Sequence, residues 1–120
     1  MRAKLVYTWQ RLILRCVWSW AGLRETWRGE HSFRTWVWAN LASAVLACVL
    51  DLTGGERAVI LGMGLLILAA ELLNTAIEDA VDYISTDQHP LAKRAKDAGS
   101  AGVFVASVAA GVAWVAVLVG

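Results

Sequence analysis

The chain has 120 residues, of which 58% are hydrophobic and 18% charged, with one proline and two cysteines. Soluble domains carry roughly 45–50% apolar residues, so disorder is excluded, two cysteines cannot make a disulfide scaffold, and the ten glycines show no collagen-like triplet. A net charge of +1 gives no basic field for nucleic acid, so that partner is not expected. The balance hides a segregation: seven of the eleven Lys and Arg residues lie within residues 1–34, and residues 98–120 carry no charge at all. Such a chain is expected to be one all-α membrane domain over residues 1–120.

The first segment, residues 4–28 with Arg2 just before it, interleaves Lys4, Arg11, Arg15, Arg24 and Arg28 with Trp9, Trp18, Trp20 and Trp27. It lacks the uninterrupted apolar core of a signal peptide. Cations beside tryptophans suit a helix lying in the headgroup plane. Three apolar stretches follow, read as spans over residues 33–51, 57–84 and 98–119. The second span is roughly 40 Å long, more than a hydrocarbon core of about 30 Å. Its last turns, with Glu78, Asp79 and Asp82, are therefore expected to project into water.

Asp51 to Glu56 reads as a turn. Ser85 to Asp97 reads as a polar loop holding Pro90, Lys93, Arg94 and Lys96. The excess of basic residues puts the N-terminus and this second loop in the cytoplasm, and the C-terminus outside. Cys16 and Cys48 then lie on opposite sides, cannot pair, and are expected to serve packing.

An ionisable residue inside a span points to function. Glu71 follows the uncharged run Ala58–Ala70, and Asn74, Glu78 and Asp82 follow it at offsets of 3, 7 and 11. At about 100° per residue the four fall within an arc of roughly 80°, a stripe about 16 Å long. Lys96-Asp97 and Gly99-Ser100 precede the third span, and Glu30 and Arg34 the first. Gathered at one interface, Glu30, Glu78 and Asp82 offer hard oxygen donors suited to Mg²⁺ with phosphates. Lys96 offers a point cation for a terminal phosphate. Glu71, a turn or two deeper, is placed to act as general base on a lipid hydroxyl. No Gly-x-x-x-x-Gly-Lys loop or Gly-x-Gly-x-x-Gly turn occurs in a nucleotide-binding context, and His31 and His89 without a nearby cysteine do not make a zinc site.

The run Glu71-Leu72-Leu73-Asn74-Thr75-Ala76-Ile77-Glu78, then Asp82, then Ala95-Lys96-Asp97-Ala98-Gly99-Ser100 resembles the small prokaryotic diacylglycerol kinase family. Ser19-Trp20-Ala21-Gly22-Leu23 and Glu30-x-x-Phe33-Arg34 extend the resemblance over nearly the whole chain. It implies a homotrimer in the bacterial inner membrane that moves the γ-phosphate of ATP to diacylglycerol, giving phosphatidic acid. By the same resemblance Glu71 is the base, and Glu30 and Glu78 hold the Mg²⁺ of ATP. Lys96 and Asp97 contact the nucleotide, with Arg11, Trp18, Asp82, Asp87, Gln88 and His89 as supporting ATP-binding residues. Arg34, Asn74 and Ser100 stand with Glu71 on the lipid side.

The match has departures. Trp18 stands where Gram-negative members carry tyrosine, and Thr35-Trp36 replace a polar-acidic pair. His89-Pro90-Leu91-Ala92-Lys93 resembles the Gram-positive branch, whose lipid is undecaprenol. Two other classes compete: a proton-coupled transporter using Glu71 as carrier, and a structural subunit without chemistry. Three spans give the transporter no inverted halves. The structural subunit leaves a lipid-buried carboxylate unexplained.

Overall fold

The computed structural model describes residues 1–120 as four α-helices and no strands: α1 (Arg2–Gly29), α2 (His31–Val49), α3 (Gly54–Ile84) and α4 (Pro90–Val119). One extended residue, Glu30 (φ −114°, ψ 108°), separates α1 from α2, ending one helix and preceding the other. Thr53 caps α3, its Oγ1 accepting from the Glu56 N–H at 3.1 Å. Gly54, Gly55 and Glu56, expected in a turn, are therefore the first turn of α3, and the connection is confined to residues 50–53.

The larger correction concerns residues 90–97, expected as loop. His89 caps α4, its Nδ1 accepting from the Leu91 N–H at 3.1 Å. Pro90 opens the helix, where a missing N–H leaves nothing unsatisfied and its fixed φ already suits the helix. Polarity here does not mean irregularity: Lys93, Arg94, Lys96 and Asp97 stand on helix, and only Ser85–His89 is loop.

α3 is the central element, with α2 and α4 packed against it. The backbones of α2 and α4 do not approach each other; a hydrogen bond from Trp114 Nε1 to Ser43 Oγ, 2.9 Å, joins them. Two glycines permit close approach to α3. A Cβ on Gly64 would lie 2.6 Å from Asn40 Oδ1, and one on Gly99 would lie 2.5 Å from Asn74 Oδ1. Small residues at such crossings let helices associate where no hydrophobic effect drives them together.

α1 contacts the bundle at its C-terminal part, where Trp27 meets Trp38 of α2 edge-on at 6.1 Å and Ser19, Gly22 and Thr26 face Leu72, Thr75 and Asp79 of α3. The molecule measures 51 × 46 × 24 Å. Helices packed about 8–10 Å apart cannot fill the 46 Å dimension, so α1, about 42 Å long, projects sideways. On a helix of 3.6 residues per turn, Trp9, Trp20 and Trp27 share one face. Lys4, Arg11 and Arg15 share the opposite one.

Only nine of the 120 residues are buried, while Leu65, Leu66, Leu73, Phe104, Val105, Val112, Val115 and Leu118 are exposed. Helices α3 and α4 are long and apolar enough to cross a membrane, and an apolar surface this continuous requires a non-aqueous neighbour. α2 is 19 residues long and less apolar, because its first half holds His31, Ser32, Arg34, Thr35 and Asn40. Cys16 and Cys48 are free and exposed, so neither serves packing within the chain.

At the far end from α1, Arg57 gathers the end of α2. Its Nε donates to the Ala47 carbonyl at 2.9 Å, and Nη2 donates to those of Leu50 and Leu52 at 3.4 and 3.3 Å. Arg57→Ala leaves helix-end carbonyls without that donor and is expected to lower stability by roughly 1–3 kcal/mol. Thermal unfolding in detergent, with hydrogen exchange rising across residues 47–57, checks it.

Candidate functional site

The polar stripe of α3 is present as the periodicity requires, and the structure divides it into a buried half and an open half. Glu71 is 5% exposed. Its Oε2 accepts from Ser32 Oγ at 3.3 Å, which puts it level with the first turn of α2. Beyond that level α3 runs on to Ile84, about 20 Å further, and α4 runs beside it. The two form a stub that extends past α2, so Glu71 lies at its base and Asp82 near its tip.

Glu30 stands at the α1–α2 junction, two residues before Ser32, and Glu78 lies two turns along α3 from Glu71. Asn74 lies between Glu71 and Glu78; its Nδ2 donates to Glu78 Oε1 at 3.2 Å. Asn74 Oδ1 is buried against Gly99 with no partner. The inner half thus joins Glu71 to the Ser32 hydroxyl of α2 and Glu78 to the Asn74 amide, with Glu30 at the α1–α2 junction.

The outer half is a cleft of about 640 Å³ between the tips of α3 and α4. Asp82, Asp87, Gln88, His89, Lys96 and Asp97 line it together. Six of the expected ATP-binding residues therefore share one cavity. Lys96 Nζ donates to Asp82 Oδ1 at 2.6 Å, joining α4 to α3. Lys93 pairs with Asp97 one turn along α4. Because His89 Nδ1 accepts the cap hydrogen bond, Nε2 is left to carry the proton and donate. The Asp87 N–H donates to Ser85 Oγ at 3.0 Å, fixing the loop's turn.

Four expected residues do not line this cleft: Glu30 and Glu78, which belong to the inner half, and Arg11 and Trp18 of α1. Arg11 lies over the Tyr7 ring at 5.8 Å, on the projecting part of α1, and Trp18 is 60% exposed; neither lines the cavity. Arg34 is used in part by the fold. Its Nη1 donates to the carbonyls of Trp27 at 2.6 Å and Arg28 at 3.1 Å, capping α1 and fixing its angle to α2. Ser100 is exposed on α4, one turn from Lys96 on the same face.

Ser32, the partner of Glu71, is a candidate site residue that the sequence alone does not single out. The only signal was a hydroxyl two residues beyond Glu30, and its partner is 39 positions away.

No three His, Cys, Asp or Glu side chains converge on one point as a ready-made metal cage. Two carboxylates suffice for Mg²⁺, which is usually held by one or two of them plus substrate phosphates and water. Glu30 and Glu78 offer hard oxygen donors of that kind. The arrangement can therefore bind a polyphosphate at the stub and present a carboxylate to a hydroxyl at its base.

The sequence profile of the family described as prokaryotic diacylglycerol kinase matches residues 17–118. The chain is 43% identical over 111 residues to the diacylglycerol kinase of Pseudomonas aeruginosa, covering 92% of this chain and 90% of that protein. It is 40% identical over 104 residues to that of Escherichia coli strain K12, covering 87% and 85%. It is 37% identical over 107 residues to that of Haemophilus influenzae, covering 89% and 91%. A match across this much of each chain, through both halves of the site, has one reading: the chain belongs to the prokaryotic diacylglycerol kinase family.

Proposed function

We propose that the protein phosphorylates diacylglycerol with ATP, yielding phosphatidic acid at the cytoplasmic face of a bacterial inner membrane. One observation carries the reading: a buried carboxylate, Glu71, lies on the same helix face as an open cleft holding Lys96 and the loop residues Asp87, Gln88 and His89. Lipid hydroxyl and nucleotide can then meet along one helix while each keeps its own solvent. The family and the names of its curated relatives agree with this activity.

Phosphoryl transfer asks a protein chiefly for alignment and charge neutralisation. In this reading the loop and Asp97 orient the nucleotide, and Lys96 neutralises charge gathering on the moving phosphoryl group. Glu71 accepts the hydroxyl proton, and the Ser32 hydrogen bond fixes which carboxylate oxygen is free to do so. Asn74, Ser100 and the free nitrogens of Arg34 border the lipid. Glu30 and Glu78 would hold Mg²⁺, which when bound supplies positive charge to the phosphates.

The topology we infer has three spans, with residues 33–51 crossing as well as 57–84 and 98–119. α2 carries the chain from the level of Glu71 to the far end, where α3 begins, about 28 Å for its 19 residues, close to the thickness of a hydrocarbon core. α1, residues 4–28 in this reading, then lies on the cytoplasmic surface. Trp27 beside Trp38 directs the tryptophan row toward the bilayer and the row of Lys4, Arg11 and Arg15 toward water. A homotrimer accounts for the sparse burial and for Arg11 and Trp18, which in such an assembly would serve a neighbouring subunit's cleft.

Transfer of label from γ-labelled ATP into lipid, in mixed micelles with Mg²⁺, tests the activity. Diacylglycerol is expected as the preferred acceptor. A preference for undecaprenol, favoured by the run His89–Lys93, would keep the chemistry and change the substrate, and no label in either lipid would sink the reading. Glu71→Gln is expected to lower turnover by about a hundredfold or more while ATP still binds. Near wild-type turnover would remove Glu71 as base. Ser32→Ala is expected to lower kcat by roughly three- to tenfold, the value of one hydrogen bond, with little change in KM for ATP. An unchanged kcat would show that the bond does not position Glu71.

A further inference from the structure

The corner where α1 meets α2 carries a patch that the site around Glu71 leaves unused. Ser32 faces α3, where it bonds Glu71. Arg34 follows two residues later and Trp38 six, rotations of about 200° and 240° on a helix. Both therefore leave α2 on the side away from α3. Arg34 Nη1 is held by the carbonyls of Trp27 and Arg28, while its Nε and Nη2 have no acceptor in the chain. Arg24 and Arg28 stand one turn apart at the end of α1, both exposed. None of the three is ion-paired, since the chain's ion pairs are Lys93–Asp97 and Lys96–Asp82. Glu30 is the one carboxylate between residues 26 and 50, and the kinase reading commits it to the metal.

One turn along α2 from Arg34, Trp38 meets Trp27 edge-on and is 62% exposed. Exposed tryptophan beside cations marks headgroup depth. Three unpaired guanidinium groups at that depth need an anionic partner. Diacylglycerol is uncharged and gives them nothing to hold. A phosphomonoester carries a charge of about −1.5 to −2 at neutral pH, and a guanidinium group grips phosphate oxygens through paired N–H donors.

We propose that the α1–α2 corner binds the phosphate headgroup of an anionic lipid through Arg24, Arg28 and the free nitrogens of Arg34, and that the phosphomonoester product is its preferred ligand. The inference rests on the kinase reading for the identity of that product. It moves Arg34 from the neutral acceptor lipid to the charged one. The patch lies across α2 from Glu71, so it holds a finished product without occupying the base. A phosphodiester lipid with a single charge is held less firmly, and a zwitterionic lipid least.

The test is lipid binding to the full-length protein in nonionic detergent micelles, read as lipid adducts by native mass spectrometry. Phosphatidic acid, phosphatidylglycerol and phosphatidylcholine with the same acyl chains compete. The wild type is expected to take phosphatidic acid over phosphatidylcholine by about twentyfold or more, at roughly fivefold for each basic residue near a lipid surface. Phosphatidylglycerol is expected between them. Arg24→Gln and Arg28→Gln are each expected to cut the preference roughly fivefold. Both side chains are exposed and unbonded, so an unshifted melting temperature is expected and separates lost binding from lost fold. Arg28→Lys keeps the charge without the fork and is expected to recover part of the loss. Arg15→Gln, on the same helix but far from the corner, is expected to leave the preference unchanged.

No preference in the wild type overturns the proposal. An equal loss in Arg15→Gln also overturns it, because the attraction would then be diffuse. Displacement of phosphatidic acid by millimolar inorganic phosphate would make this a site for free phosphate and overturns the lipid assignment. A changed oligomeric state in the Arg24→Gln, Arg28→Gln double variant, with the preference intact, would mean that a second copy covers the corner and overturns it too. Label transfer into diacylglycerol without any preference at the corner removes this inference alone. A folded protein that transfers no label yet keeps the arginine-dependent preference sinks the kinase reading, and the corner remains a lipid-phosphate site.

Discussion

The layout of the chain follows from one difficulty, an ionisable carboxylate in a helix that is apolar for four turns before it. Such a group is expensive in hydrocarbon unless it sits near an interface and has a partner. Ser32 supplies the partner, and that contact fixes where α2 must begin. Glu30 is therefore at the same level, and α1 must leave sideways there, held by Arg34 on its last carbonyls. α3 then has to overrun α2 in order to carry Glu78 and Asp82 outward. Four helices with one buried carboxylate thus make a two-storey site with little other buried structure.

Much of this was legible because helical period and membrane cost act on adjacent residues. Glu71, Asn74, Glu78 and Asp82 could be put on one face from their offsets alone, and the structure keeps them there. The four helices were readable for the same reason. Helix ends were not: Pro90 and three basic residues looked like a loop, yet His89 and Pro90 together make a good helix start. Pairing between helices was also out of reach. Ser32 with Glu71, and Lys96 with Asp82, depend on how far one helix slides along another, and the spacing of residues within a helix does not encode that slide. The glycines opposite Asn40 and Asn74 fix it.

The surface carries a second message. A chain with nine buried residues is not held together mainly by a core of its own. Its helices associate through small-residue crossings, one tryptophan–serine bond and the caps made by Arg34 and Arg57. The polar ties lie at the helix ends and the glycine contacts between them. Stability and site geometry are therefore close to the same thing at the α1 end: Gly99 admits Asn74, and Asn74 holds Glu78.

The straight run of α3 through both halves of the site has a consequence for how such a chain can change. Glu71 and Asp82 are carried on one uninterrupted helix, so their separation and their relative angle are a single variable. Adding or deleting one residue between them would turn the cleft by about 100° away from the carboxylate it serves. A seven-residue change would nearly restore the angle but displace the cleft by about 10 Å. No small change of length preserves both, which makes this helix a ruler that tolerates substitution far more readily than insertion.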